Sequence, residues 1–304
     1  MFRLTSSLLL MRARGSRSNG LPVLVGLLIA LGAQAQTAPA ITAQQIIERI
    51  QKEVGVPWRA QTVDTFKAGD PNTPVTGVAV TMMATLDVLQ RAAAKGDNLV
   101  ITHEPTFYTH QDSIADLEKA NDPVWAAKEA FIKEHHMVVW RFHDHWHMRK
   151  PDGIQFGMTK ALGWEKYQSA ENPHLFTLPE TTVGDLAAFL KKRLALNVMR
   201  VVGDGEMKVT KIGLLPGAGG TQMQVKALER GDVEVLIIGE VPEWETVEYV
   251  DDAHAAGQRK ALIMLTHIPS EQAGMEECAK WMKGFVTEVP VEFVAAKQPF
   301  WEPK

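Results

Sequence analysis

Asn98-Leu99-Val100-Ile101-Thr102-His103-Glu104-Pro105 is the stretch whose reading decides the fold. Asn98–Thr102 reads as a short strand buried on both faces, and Pro105 closes a turn that leaves His103 and Glu104 at the strand's carboxyl end. The same order recurs twice. Met137–Phe142 runs into His143-Asp144-His145-Trp146-His147, and Ala261–Thr266 runs into His267-Ile268-Pro269-Ser270-Glu271. Open α/β sheets bind ligands in the crevice outside the carboxyl ends of their strands. Imidazoles and carboxylates gathered in such a crevice form the donor set for Zn, Fe or Mn. The three clusters therefore predict a metal site with more than one ion.

Outward from these strands the chain alternates strand and helix. Val75–Thr81 reads as a strand, Ala84–Ala94 as a helix stopped by Gly96, and Pro123–Glu134 as the helix before Met137–Phe142. Upstream, Ile46, Ile47, Ile50 and Val54 recur at helical spacing behind a Thr42/Gln45 capping box, with Ile41 placed to staple Ile46. Downstream, Val183–Leu194 reads as a helix after Thr181 or Thr182, and Val198–Val202 and Lys208–Leu215 read as a hairpin turned at Gly203-Asp204-Gly205. Helix Thr221–Arg230, strand Val233–Ile238 and helix Glu245–Ala256 continue the pattern, and a last helix spans roughly Ser270–Lys283 before extended Val289–Val294. The expected fold class is α/β and two-lobed, with mixed, mostly parallel sheets, helices packed on them, and the second lobe inserted into the first. Residues 41–150 and 255–304 are assigned to the metal-binding lobe and residues 151–254 to the second lobe.

The amino terminus has a different character. Arg3, Arg12, Arg14 and Arg17 form a basic region, Leu21–Leu31 a short apolar core, and Ala33-Gln34-Ala35 a small-x-small cleavage site. Residues 1–35 thus read as a secretory signal peptide and 36–40 as a linker, which predicts a periplasmic or secreted protein with no membrane attachment after cleavage. Cleavage would leave 269 of 304 residues and shift the net charge from −4 to −8. An acidic chain without a basic run is a poor partner for nucleic acid. The lone Cys278 precludes an intramolecular disulfide and sits in a helical apolar pattern with Met275, Ala279 and Met282.

Within the clusters, His143, His145 and His147 share one side if the chain stays extended, whereas His143 and His147 share a face at i, i+4 if a helical turn begins there. His267 and Glu271 repeat the i, i+4 spacing at a strand-to-helix junction, where Pro269 and Ser270 favour a helix start. Glu240, after an apolar strand, could hydrogen-bond a ligand imidazole. His110 is a candidate substrate contact, and Asp144 and His145 are either proton shuttles or loop residues. Gly217–Gly220 is either an anion-holding turn or a tight βα turn.

Taken in order, Ile101-Thr102-His103-Glu104-Pro105, His143–His147, Gly217–Gly220, Ile238-Gly239-Glu240 and Thr266-His267 through Glu271 resemble the motifs of the Nif-three-like dinuclear metal-centre family (the Ngg-one-interacting-factor-three family). The resemblance spans roughly Ile41 to Lys283. It implies His103, Glu104, His143, His147, His267 and Glu271 as ligands of two divalent ions; Glu240, His110 and His145, read from the residues themselves, are the supporting or substrate-binding candidates beside them. It also implies a two-lobed α/β subunit and a homohexamer. Some members carry the name GTP cyclohydrolase, which is not carried over to an exported chain. Glu104 stands where the family has a second His, and His147 where it has an Asp, an exchange of donor types that keeps the ligand number. Trp244 stands where the family usually has a His.

The function expected is metal-assisted hydrolysis of an unidentified small molecule. Its rivals are a non-catalytic oligomeric metal-binding scaffold and a phosphate- or nucleotide-binding module built on Gly217–Gly220.

Overall fold

A computed structural model describes residues 40–303, so the expected signal segment and most of the linker lie outside the described residues. Two five-stranded sheets organise the rest. In the first part of the chain, α1 (Ala43–Glu53), β1 (Phe66–Ala68), β2 (Val78–Thr81), α2 (Leu86–Lys95) and β3 (Leu99–Thr102) lead to α3 (Ala115–Ala120), α4 (Pro123–Glu134) and β4 (Val138–Arg141). Two short helices, α5 (Asp144–Met148) and α6 (Gly153–Leu162), lead out of this part. Next come β5 (Leu175–Thr182), α7 (Val183–Arg193), β6 (Arg200–Val202), β7 (Lys208–Leu215), α8 (Thr221–Leu228) and β8 (Val235–Ile238). The chain ends with α9 (Glu248–Ala255), β9 (Ala261–Met264), α10 (His267–Met282) and β10 (Val291–Phe293).

The first sheet has the order β1-β4-β3-β2-β10, parallel except for β1, and the second has the order β5-β7-β8-β9-β6, with antiparallel edges around a parallel centre. β10 returns to pair with β2, so the second sheet is inserted within the first in chain order. This is the expected α/β class. Strands β2, β3, β4, β8 and β9 are buried along their whole length, as continuous apolar runs in helix-covered parallel sheets should be. Pro179 is accommodated in β5 because that strand is an edge and its register shifts between Thr177 and Thr181.

Two details differ from the sequence reading. β6 and β7 form no hairpin: β6 pairs with β9, and β7 lies between β5 and β8. Gly203, at φ +108°, lies so close to the start of β9 that a Cβ would stand 2.9 Å from the Lys260 carbonyl oxygen, an approach that lets β6 pair with β9. Second, β9 was assigned with the first lobe but hydrogen-bonds in the second sheet, between β8 and β6. The chain rejoins the first sheet only through α10.

Helix boundaries follow their caps. Thr42 and Gln45 form the expected capping box on α1, and Ile41 and Ile46 are both buried. Thr85 and Gly96 bracket α2, and Asp122 with Pro123 starts α4. Asp152 caps α6 by accepting the N–H groups of Ile154 and Gln155. Helix α10 starts at His267, ahead of the expected Ser270. Its Met275, Cys278, Ala279 and Met282 enter the core of the first sheet. Helices α6 and α10 meet where a Cβ on Gly157 would stand 2.5 Å from Gly274 Cα, and one on Gly274 would stand 2.5 Å from Ile154 Cα. Only glycine allows two helix backbones to come that close. None of the described helices is long and apolar enough to cross a membrane.

Candidate metal centre

The carboxyl ends of β3, β4 and β9 face one crevice between the sheets, as the three clusters predicted. His103 follows β3 and is wholly buried; Glu104 beside it is nearly so. His143 precedes α5, and the His147 N–H donates to the His143 carbonyl at 3.1 Å, which selects the helical alternative for this segment. The rings of His103, His143 and His147 lie 4.6, 5.0 and 4.9 Å apart, centroid to centroid. From α10, His267 Nε2 stands 3.1 Å from Glu271 Oε2 and 3.4 Å from Glu104 Oε1. Glu271 Oε2 is 3.7 Å from His103 Nε2, and His143 Nε2 is 3.8 Å from Glu104 Oε1. All six expected ligands thus converge.

These separations suit a cation. Two donors on one tetrahedral ion, each at about 2.1 Å, stand about 3.4 Å apart. The sets His103/His143/His147 and His103/Glu104/Glu271 each bring their donor atoms within 4.8 Å of one another and could hold a metal ion. His103 Nε2 and Glu271 Oε2 are buried with no hydrogen-bond partner. Glu271 Oε2 has only the His267 ring 3.1 Å away, and leaving His103 Nε2 unmatched is costly, a cost that a cation between the two atoms would remove.

Each imidazole is held through its other nitrogen. His103 Nδ1 donates to the Phe142 carbonyl at 3.0 Å, His143 Nδ1 faces Asp144 Oδ1 at 3.0 Å, His147 Nδ1 faces Asp152 Oδ2 at 2.9 Å, and His267 Nδ1 faces Glu240 Oε1 at 3.1 Å. This fixes ring orientation and presents Nε2 to the centre. The contact expected of Glu240 is therefore present. Asp152 was missed: its role as a helix cap is readable in Asp152-Gly153, but its grip on His147 is not.

Two buried charges also escaped the sequence reading. Asp64 accepts three consecutive backbone N–H groups, from His143 at 2.6 Å, Asp144 at 2.9 Å and His145 at 2.9 Å, and so anchors the start of α5. Arg141, fully buried in β4, donates to the carbonyls of His103 at 3.0 Å and His110 at 2.5 Å and approaches Glu104 Oε2 at 3.4 Å. A charged residue within the apolar run Val138–Phe142 was the available signal, because such a group needs partners when buried.

The remaining candidates separate. His145 is directed into the fold: Nδ1 meets Asp64 Oδ2 at 2.6 Å, Nε2 accepts the Arg59 N–H at 3.0 Å, and the ring stacks on Trp58 at 3.6 Å. With both nitrogens engaged it has none left for substrate or ligand support, which corrects the expectation for it. His110 is exposed at the rim, 6.0 Å from the His143 ring. Trp244 is exposed and leaves its position without an imidazole. Gly217 abuts the cluster: a Cβ there would fall 2.2 Å from Glu271 Oε1, at φ +75°. That close approach accounts for this glycine of the Gly217–Gly220 turn.

Protonation follows from the surroundings. Burial, then the neighbouring His143 and His147, pushes His103 well below the ordinary imidazole range, and burial with His147 lowers His143. His147 is raised: burial opposes its charge, but Asp152, Glu271 and Glu104 together outweigh burial. Burial also works against His267, yet Glu104, Glu240 and Glu271 lift it to about 12. Burial alone would raise Glu104, but His267, His143 and Arg141 hold it below the usual range. Thr266, just before His267, takes a left-handed φ of +67°, and its hydroxyl accepts from Gln298 Nε2 at 2.8 Å. Non-glycine residues in this conformation concentrate at functional sites. A cleft of about 400 Å³ opens over the cluster, walled by Ile154, Leu215, Pro216 and Met223, with Gln155 and His174 among its lining residues.

Comparison with known proteins places this geometry in context. The sequence model of the family described as Duf34/NIF3 (NGG1p interacting factor 3) matches residues 41–299. A Clostridium acetobutylicum protein named GTP cyclohydrolase 1 type 2 homolog is 23% identical over 227 residues, covering 71% of this chain and 80% of the relative. A Staphylococcus aureus hypothetical protein of known structure superposes with a TM-score of 0.67 at 17% identity, over 87% of this chain and 100% of that one. A Bacillus cereus protein related to NIF3 also gives 0.67, at 15% identity, over 88% and 100%.

Proposed function

The chain belongs to the Duf34/NIF3 family, and from that premise we propose that it is a hydrolase working with two divalent ions, Zn, Fe or Mn, held by His103, Glu104, His143, His147, His267 and Glu271. The observation that carries this reading is the buried His103 Nε2, without a hydrogen-bond partner at the centre of an oriented imidazole set and 3.7 Å from Glu271 Oε2. Ions bound there would acidify a water and polarise a carbonyl or phosphoryl oxygen.

The chain's own groups supply the rest. The contacts of Asp144, Asp152, Glu240 and the Phe142 carbonyl fix four rings before any ligand arrives, so little ordering remains at binding. Arg141 holds the backbone of both His103 and His110, coupling the buried floor to the rim. Ile154, Leu215 and Met223 form an apolar wall that limits water over the cluster. His110, at the mouth, is within reach of a bound small molecule. From the clostridial relative's name we take the hydrolytic class and not the nucleotide.

We also propose export, supported by the basic, apolar and small-x-small pattern of residues 1–35, and assembly as a homo-oligomer, a hexamer by family resemblance. Cell fractionation and light scattering on the mature protein test these two readings.

The experiment for the centre is metal content per subunit, by elemental mass spectrometry on protein purified from the periplasm. About two ions in the wild type, largely lost in a His103→Ala/His267→Ala double variant, is the expected result. Folded protein that contains no metal and takes none up would overturn the hydrolase reading.

A further inference from the structure

A second recess, of about 420 Å³, adjoins the metal cleft and shares Glu104, His110 and His267 with it. Its other walls are the start of α2, at Thr85 and Leu86, and the turn Pro105–Thr109, with Lys128 of α4 behind that turn. Neither the ligand set nor the clamps around it use Lys128. Its side chain is 4% exposed. Its ammonium donates to the Thr106 carbonyl at 2.5 Å and lies 5.7 and 5.5 Å from the rings of Phe107 and Tyr108. Among the described residues no carboxylate comes within 4.0 Å of it, and Asp112 acts on it only from farther away.

A buried ammonium carries three donors, and this one has a single acceptor. Two aromatic faces compensate in part, but a buried charge without a counter-ion is expensive. Beside it, the Thr106 hydroxyl is buried with no hydrogen-bond partner. The N-terminus of the ten-residue α2 adds the positive end of a helix dipole to the same recess. Tyr108 stands at the lip, 57% exposed and held at φ +65°, a conformation that favours glycine. Two buried groups thus lack partners in one place, an under-partnered ammonium and an orphaned hydroxyl, beside a helix N-terminus whose own first-turn acid, Asp87, is taken up by Arg91 and Lys297.

We propose that this recess is an anion-binding subsite in which Lys128, the Thr106 hydroxyl and the start of α2 hold a carboxylate or phosphate limb of the molecule whose reacting group lies at the metal cluster. The inference rests on the hydrolase reading for that reacting group, and the subsite itself does not need the ions. Glu104 and Glu240 also face the recess, from its metal side. Cations on Glu104 would offset that negative charge, so the limb meets Lys128 while the reacting group meets the cluster. Burial pushes the Lys128 amine down only to about 8, which leaves it mostly charged at neutral pH. The substrate class is then a small molecule that bears an acid beside its hydrolysable bond.

The test is calorimetric titration of inorganic phosphate, and separately of acetate, into full-length mature protein at neutral pH, both metal-loaded and chelator-treated. Wild type, Lys128→Met, Lys128→Arg and Thr106→Val are compared, with thermal melts to verify folding. The subsite predicts anion binding with and without metal, weakened about tenfold or more in Lys128→Met and retained in Lys128→Arg. Thr106→Val, which keeps the charge, should also weaken it and serves if Lys128→Met does not fold. Tighter phosphate than acetate assigns a phosphate limb, and the reverse a carboxylate limb. Anion binding that appears only with metal and is indifferent to Lys128→Met overturns the subsite and leaves the hydrolase intact. Anion binding that depends on Lys128 in protein unable to take up metal keeps the subsite and removes the hydrolase.

Discussion

The wall of the centre built on β3 and β4 and the wall built on β8 and β9 are made by different means. On the first, Arg141 and Asp64 are buried and paired and His103 is held through Nδ1 alone, so the donors are positioned by contacts made when the chain folds. On the second, Glu240 is half exposed, Met223 is exposed, and the His267 backbone is set by a left-handed Thr266. A buried network has few alternatives, because every broken contact leaves a desolvated group unmatched. A solvated clamp can exchange its contact for water. The first wall therefore fixes the donors, and the second can adapt to what lies in the cleft.

The harshest challenge to that contrast is Asp64→Ala. Asp64 and His145 are both fully buried, and three backbone N–H groups lose their acceptor with the carboxylate. Removing one partner of such a group costs about 3–5 kcal/mol, read as a shift in urea unfolding of metal-free protein. A loss below about 1 kcal/mol, the range of an exposed pair, would mean the first wall is no more rigid than the second.

Next in size is the comparison of Asp152→Asn with Glu240→Gln. Each removes the carboxylate that orients a ligand imidazole, and such partners contribute about 10–100-fold to metal affinity. Asp152, with a side chain 24% exposed against 50% for Glu240, is expected to show the larger loss in a chelator competition. Equal losses would erase the distinction between the walls.

The finest-grained effect is a slope with pH. The carboxylates around His267 raise it to about 12, so the metal-free protein keeps that proton at neutral pH, whereas His103 and His143 are pushed down and give theirs up without metal. A cation must expel the His267 proton, and also that of His147 wherever its raised affinity keeps it protonated, so affinity should rise with pH by about tenfold per unit for each proton displaced. Affinities measured at about pH 6.5, 7.5 and 8.5 give the slope, and a flat profile would show that neither His267 nor His147 carries such a proton.

Much of this was legible in the sequence, for reasons that also mark where it stopped. The capping box of α1, the bounds of α4 and β7, and the placement of three donor clusters at strand ends are local signals: a side chain and its partner lie within a few residues. The gathering of six donors followed from their positions on the sheets. The partner of β6 was not legible, because Gly203-Asp204-Gly205 looks like a hairpin turn while the competing contact, with β9, lies some sixty residues on. His145 misled for a related reason. Three alternate imidazoles look equivalent, and only Asp64, far upstream, withdraws one of them into the fold. Lys128 reads as one charge among others on a helix until its burial is seen.

The glycine crossing of α6 and α10 has a mechanical consequence. One helix begins at the carboxylate that clamps His147, and the other begins with His267 and Glu271. They work as the two arms of a caliper whose pivot is the contact of Gly157 with Gly274. A methyl group added at that pivot would touch no donor and yet widen the gauge of the jaws. The bore of the site, and with it the size of ion it would accept, thus depends on a contact well outside the donor cluster, made by side chains that are missing.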